Sequence, residues 1–235
     1  MCRLFSREDY VSFAAQVTNV SVAKNLLDFL LHLLHDPHLN VTVDIKRRGR
    51  RFMLKVIAKT PVIPESLIVT GIRTAEHDHI GRGGFGHVFK GELQGNAVAL
   101  KVLYKPDDNV VSCSYQYHNV IGRSRFEQAF CPEALMWRSL SHKFVLPFLG
   151  IYQDEPMEQF FLVSPYMTNG TLAQWRKKAN PSVAQVEQHV RFFNPSAACG
   201  YLPRMAALKI LEVAKGIEYI HSEGVVHGDL RGVST

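Results

Sequence analysis

Apolar positions recur at helical intervals through the first sixty residues and alternate at strand intervals further on. Val22, Leu26, Leu27, Leu30, Leu31 and Leu34 mark one face of a helix that Ser21 is placed to cap and Asp36-Pro37 to end. A second amphipathic segment over about Asp44–Ala58 carries Ile45, Phe52, Met53, Val56 and Ile57. Thr60-Pro61 and Pro64 then predict an extended linker. The reading for this region is a helical hairpin that packs on its own or against the strands C-terminal to it, or that serves as a module for a protein partner. Alternation predicts those strands near His77–Gly81, His87–Leu93 and Ala97–Tyr104. A polar stretch runs to Arg125. Pro132 is expected near the first position of the next helix, because proline lacks an N–H and clashes inside a helix. That would leave Glu133 in a first turn, favoured there by the helix dipole. Strands at Val145–Tyr152 and Gln159–Ser164 come next, then a short helix over Thr171–Lys178. The last helix, about Arg204 to His221, repeats apolar residues at Leu208, Leu211, Ala214, Ile217 and Ile220, with Gly224 as its C-cap.

Composition narrows the function classes. In 235 residues a hydrophobic fraction of 46% suffices for one or two packed domains. The net charge of +6 suits an anionic ligand without demanding nucleic acid, and no nucleic-acid partner is expected. Cys2, Cys113, Cys131 and Cys199 are scattered, as expected of reduced thiols in an intracellular protein. The N-terminus has no signal-peptide pattern, and the apolar run Leu26–Leu34, broken by Asp28 and His32, is too short to span a bilayer. The expected location is cytoplasmic or nuclear. His32, His35 and His38 have a suggestive spacing, but Pro37 interrupts the helix, and surface histidines are preferred to a metal site. Lys46–Arg51 is read as a solvated basic helix face in preference to a nuclear-import signal or a phosphate patch.

The candidate chemistry begins at Ile80. Gly81, Gly83 and Gly86 stand at G-x-G-x-x-G spacing, with Val88 two residues on. Glycine permits positive φ and has no Cβ, so backbone N–H groups can close over phosphate oxygens. The same spacing occurs in dinucleotide-binding folds, where a helix comes next; here the strand-like run from His87 does. Val98-Ala99-Leu100-Lys101 is an apolar strand ending in a lysine, whose charge needs an anionic partner. The third piece is His227-Gly228-Asp229-Leu230-Arg231, in which an aspartate can accept a proton from a hydroxyl.

These three pieces, in this order, resemble the protein kinases, and specifically the tyrosine-kinase-like group expanded in filamentous fungi. The resemblance covers about residues 72–235. It implies an α+β fold: a kinase-like small lobe of antiparallel sheet plus one helix (72–165), an incomplete helical large lobe (166–235), and an N-terminal helical segment and linker (1–71) before them. It implies transfer of phosphate from ATP, with Mg²⁺, to Ser, Thr or Tyr hydroxyls of a protein substrate. Ile80, Gly81, Gly83, Gly84, Phe85, Gly86 and Val88 would cover the nucleotide. Val88 and Ala99 would sandwich the adenine, unless they are ordinary strand packing. Ser164 would guard the pocket behind it, and Tyr166 and Met167 would form the hinge. Lys101 would hold the phosphates, Glu133 would position Lys101, Asp229 would be the base, and Arg231 would lie near the transferred phosphate. The pairing of Glu133 rests on the family's E-x8-H pattern, completed by His142.

Departures from the pattern are equally concrete. His227-Gly228-Asp229 replaces the usual H-R-D, a form shared by fungal relatives. Ser234 stands where the family has a metal-binding asparagine, and no D-F-G comes after it. The expectation is therefore a C-terminally truncated kinase whose activity is near background, with an inactive nucleotide-binding or scaffolding fragment as the alternative. The apolar face of the 204–221 helix is expected to lack partners. The stretch beyond Lys105, which includes Val111-Ser112, the extra segment that begins near Val190-Arg191 and the break at Val233-Ser234 depart from the pattern, and some of these segments are read as translated introns, which transcript sequencing would test.

Overall fold

A computed structural model describes residues 10–36, 38–83, 86–102, 123–154, 159–171, 174 and 201–228, with backbone alone at 10–11, 75–83, 86, 123–129, 159 and 201–207. Two compact units are distinguished. One comprises residues up to Ser141 together with Leu146–Tyr166; the other comprises His142–Val145 and the residues from Met167 onward.

The first unit opens with three helices, α1 (Tyr10–Gln16), α2 (Val20–His35) and α3 (Val43–Lys59). Asn19, not Ser21, caps α2: its side chain accepts the Val22 N–H at 3.1 Å, and Ser21 falls inside the first turn. Thr42 caps α3 by accepting from Ile45 N–H. The expected linker is not free chain. Val62, Ile63 and Leu67 are buried, and Glu65–Leu67 forms a 3-10 turn. Asp28, which interrupts the apolar run of α2, anchors that turn. Its carboxylate accepts from the backbone N–H of Glu65 (3.0 Å) and Ser66 (2.9 Å) and from the Ser66 hydroxyl (2.6 Å). Lys24 pairs with Glu65 beside it. The basic run is not a uniformly solvated face either: Arg50 is only 4% exposed, while Arg48 pairs with Asp44 at 3.0 Å. Burial of Arg50 follows from its place on the core side of α3, next to Met53, with an aliphatic stem that packs like a hydrophobe.

A five-stranded antiparallel sheet comes next, in the order β1 (Ile72–Gly83), β2 (Gly86–Leu93), β3 (Asn96–Val102), β5 (Gln159–Pro165), β4 (Gly150–Asp154). This is the α+β arrangement implied by the resemblance, a kinase-type small lobe of sheet plus helix and then helical large-lobe structure. β1 starts earlier than alternation suggested, and β4 starts at Gly150 rather than Val145 because residues 145–149 run irregularly into it. Gly150 is required there. A Cβ on it would lie 2.6 Å from the Leu67 carbonyl oxygen, where Val69 N–H also reaches the Ile151 carbonyl at 2.8 Å.

The sheet has two distinct faces. Val98, Leu100, Val102, Phe161 and Val163 form a small cluster on one, edged by Phe89 and Tyr152. On the other, Ile151, Phe160 and Leu162 join one continuous core with α1, α2, α3, the buried linker and helix α4 (Arg123–Arg138). Pro132 lies inside α4 rather than at its start. The cost of the missing N–H is one helical bond to the Gln128 carbonyl, and it is offset by burial of Cys131, Ala134 and Leu135 on either side. Glu133 is consequently a mid-helix residue, not a first-turn one.

In the second unit, α5 spans Tyr201–Ser222. It ends in a Schellman arrangement, with Val225 N–H to the Ile220 carbonyl and Gly224 N–H to that of His221, and Gly224 has φ +77°. His142 stacks on Tyr219 at 4.7 Å. Thr171 and Gln174 exchange side-chain-to-backbone hydrogen bonds, as a helix-start capping box does. The remainder of the expected 171–178 helix lies outside the described residues, as do the segments at Val111 and Val190 and the residues from Asp229 onward.

Candidate functional site

Register on β1, β2 and β3 builds the site. Gly83 pairs with Gly86 at the tip of the β1–β2 hairpin, Gly81 pairs with Val88, and Val88 pairs with Lys101. The backbone at Ile80, Gly81, Gly83 and Gly86 thus belongs to a strand–turn–strand, and the glycines lead into a strand, not a helix. Gly84 and Phe85 lie outside the described residues.

Because cross-strand partners share a face, the pairings Lys101↔Leu162 and Ile151↔Leu162 put Lys101 on the side where α4 packs. There the Lys101 ammonium lies 3.7 Å from the Glu133 carboxylate. Both side chains stay partly exposed, at 34% and 50%. A pair this wet contributes about 0–1 kcal/mol to stability at most, so its significance is geometric. It presents a cation, with donor capacity left over, across from Val88 on the strand of the glycine hairpin. Phosphate oxygens are the ligand chemistry that such a cation and a row of glycine N–H groups can both serve.

Ala99 pairs with Ser164, which is buried at 6% exposure, so a small polar side chain backs this face of the sheet. Tyr166 continues from β5. Its N–H donates to the Ala97 carbonyl at 3.0 Å, and its ring carries the Lys90 ammonium 5.1 Å from the centroid. That cation–π contact was not legible in sequence, because it depends on how β2 and the end of β5 are aligned through β3. Met167 belongs to the second unit, where its carbonyl accepts from Gly170 N–H at 2.9 Å to close a turn and its side chain is half exposed. Asp229 and Arg231 lie outside the described residues. Their neighbour His227 is exposed, and Gly228 has φ +73°.

The three histidines of the N-terminal region separate. His32 and His38 are exposed, whereas His35 donates from Nδ1 to the Leu31 carbonyl (2.6 Å) and lies beside the Ser139 backbone at the end of α4. Burial lowers its pKa from the ordinary 6.5, and nearby Arg138 and Lys46 push it the same way. Among the described residues no group of three or more His, Cys, Asp or Glu side chains is placed to hold a metal ion. Nor is any described helix long and apolar enough to cross a membrane.

Comparison with known proteins gives a family. The profile described as "Protein kinase domain" matches residues 74–232. The serine/threonine/tyrosine-protein kinase HT1 of Arabidopsis thaliana is 24% identical over 149 residues, which cover 63% of this chain and 31% of that protein. The serine/threonine-protein kinase TNNI3K of Mus musculus is 29% identical over 157 residues, covering 66% of this chain and 15% of its own length. The L-type lectin-domain containing receptor kinase I.7 of Arabidopsis thaliana is 29% identical over 160 residues, 67% of this chain and 19% of that protein. The chain therefore spans less than a third of each of these relatives.

Proposed function

The chain belongs to the protein kinase domain family, and we propose that it is of the tyrosine-kinase-like group and binds ATP beneath the β1–β2 hairpin to transfer its γ-phosphate to a Ser, Thr or Tyr hydroxyl. The observation that carries this reading is the Lys101–Glu133 pair, with Lys101 set by register opposite Val88 of the glycine hairpin. The glycine hairpin supplies N–H groups to the phosphates. Lys101 offsets the charge of the α- and β-phosphates, and Glu133 holds the ammonium where it is useful. Val88 and Ala99 offer apolar contact to the adenine, Ser164 leaves room behind it, and Tyr166 and Met167 edge it. Asp229 takes the proton as the substrate oxygen bonds to the γ-phosphorus and the bridging oxygen leaves with ADP, with Arg231 beside the transferred group. A divalent cation would offset phosphate charge in this chemistry. The described side chains offer no donor set for one, so no step is assigned to a metal.

Thermal unfolding with and without ATP tests the reading. At 100 times Kd, a ligand that binds only the folded state stabilises by about 2.7 kcal/mol. A stabilisation of that order, absent with adenosine alone and accompanied by phosphate transfer to a generic protein substrate, supports the proposal. Stabilisation without transfer points instead to a nucleotide-binding or scaffolding role. No stabilisation by ATP refutes both.

A further inference from the structure

We infer that helices α1–α3 are the positioning element for Glu133, so that occupancy of the nucleotide site and order in residues 20–59 are thermodynamically coupled. The inference rests on the proposed nucleotide site. Among the described residues α4 has no backbone bond to the sheet, so side-chain packing fixes where it lies. Glu133 projects from α4 at a half-exposed position and reaches Lys101 only if α4 holds its rotation and depth. Cys131, Ala134 and Leu135 set both. They lie at helical spacing on a different face from Glu133 and are at most 1% exposed. What covers that face is a single core in which Phe52, Met53, Val56 and Ile57 of α3 are equally buried.

A second contact carries the same coupling to the end of the helix. His35, the last residue of α2, lies against the Ser139 backbone immediately after α4 and near Arg138. The α3 helix is in turn gripped by α1 and α2, with the Thr60 hydroxyl donating to the Val17 carbonyl at 2.6 Å. The N-terminal helices thus share with β4 and β5 the core that holds the buried face of α4. Shifting α3 away removes the packing that keeps Glu133 aimed at Lys101, and Lys101 loses its carboxylate partner. Close-packed cores transmit such displacements because they have no slack to absorb them.

Coupling of this kind is reciprocal: if α1–α3 favour the nucleotide-competent geometry, bound nucleotide must favour ordered α1–α3. Hydrogen exchange of the full chain, with ATP present or absent, measures this directly. Amides in 20–59 are expected to exchange more slowly with ATP, although none of these residues is placed to touch it, and the slowing is expected to vanish in Glu133→Gln. Val56→Ala, or the gentler Ile57→Val, is expected to weaken ATP binding about 3- to 10-fold in the native background but not further in Glu133→Gln. Helices that merely stabilise the fold would give additive losses and no ATP-dependent protection. ATP binding with unchanged exchange over 20–59 overturns the inference alone. Absence of ATP binding to the native chain overturns it together with the reading on which it rests.

Discussion

Helix α4 buries Cys131, Ala134 and Leu135 to 1% exposure or less, whereas α5 leaves Leu208 and Leu211 at 46% and 49%. Yet α5 has the more regular apolar repeat, while α4 is interrupted by Pro132. The contrast lies in what closes on each helix within its own unit. α4 meets α3 and β4, and its burial is shared by a core that extends through α1, α2 and the linker. Among the described residues α5 is engaged at Tyr219, against His142, at Ile220, which is 8% exposed, and at Gly216, where a Cβ would meet the Phe144 carbonyl at 2.6 Å. Periodicity says which face of a helix is apolar. It does not say whether a partner surface exists, and it is the partner that supplies the energy.

The largest test of this contrast is a matched pair of truncations. Leu135→Ala is expected to lower stability by about 2–5 kcal/mol, as for a fully buried leucine, and Leu211→Ala by less than about 1 kcal/mol. Urea unfolding of both variants checks it; equal losses would mean that the two helices are anchored alike. Next in size is Pro132→Ala. In a continuous helix it restores an N–H and removes a clash, so stability should rise by about 1–3 kcal/mol. If α4 began at Pro132 instead, the same change would be neutral or unfavourable, and the same unfolding experiment separates the two. Asn19→Ala should lower stability by about 1 kcal/mol, whereas Ser21→Ala should change it by only a few tenths.

The smallest effect concerns His35, for which the direction alone is fixed. Its folded pKa is depressed, chiefly by burial, so above about pH 6.5 the ring is neutral both folded and unfolded and contributes no pH slope. Below that value the unfolded ring binds a proton that the folded one refuses, and stability falls with pH until the folded pKa is also passed. Stability measured from pH 7.5 to 5 should show this slope in the native chain, and it should be flatter in His35→Gln. An identical slope in both would remove His35 as its source.

These regions also mark what sequence could and could not reveal. The strand–glycine–strand hairpin and the lysine strand were legible because both depend on local pattern, and the family pattern added Glu133. The packed linker was missed because Pro61 and Pro64 read as extended chain. The neighbouring Val62, Ile63 and Leu67 carried the opposite signal, since three apolar residues in a short extended run need a core to enter. Asp28 read as an interruption of an apolar helix, because nothing local reveals that it holds a turn nearly forty residues away. Arg50 read as solvent-facing for the same reason: burial of a charged residue is decided by tertiary partners. Pro132 misled through a sound local rule that the surrounding burial overrode.

The proposed nucleotide site rests on Lys101 as a cation for phosphate, and calorimetric titration of ATP into native and Lys101→Ala protein tests that most directly. The expected result is a loss of affinity of about 10- to 100-fold in Lys101→Ala, the value of a charge-assisted hydrogen bond, with circular dichroism unchanged. Equal affinity in the two folded proteins would contradict it.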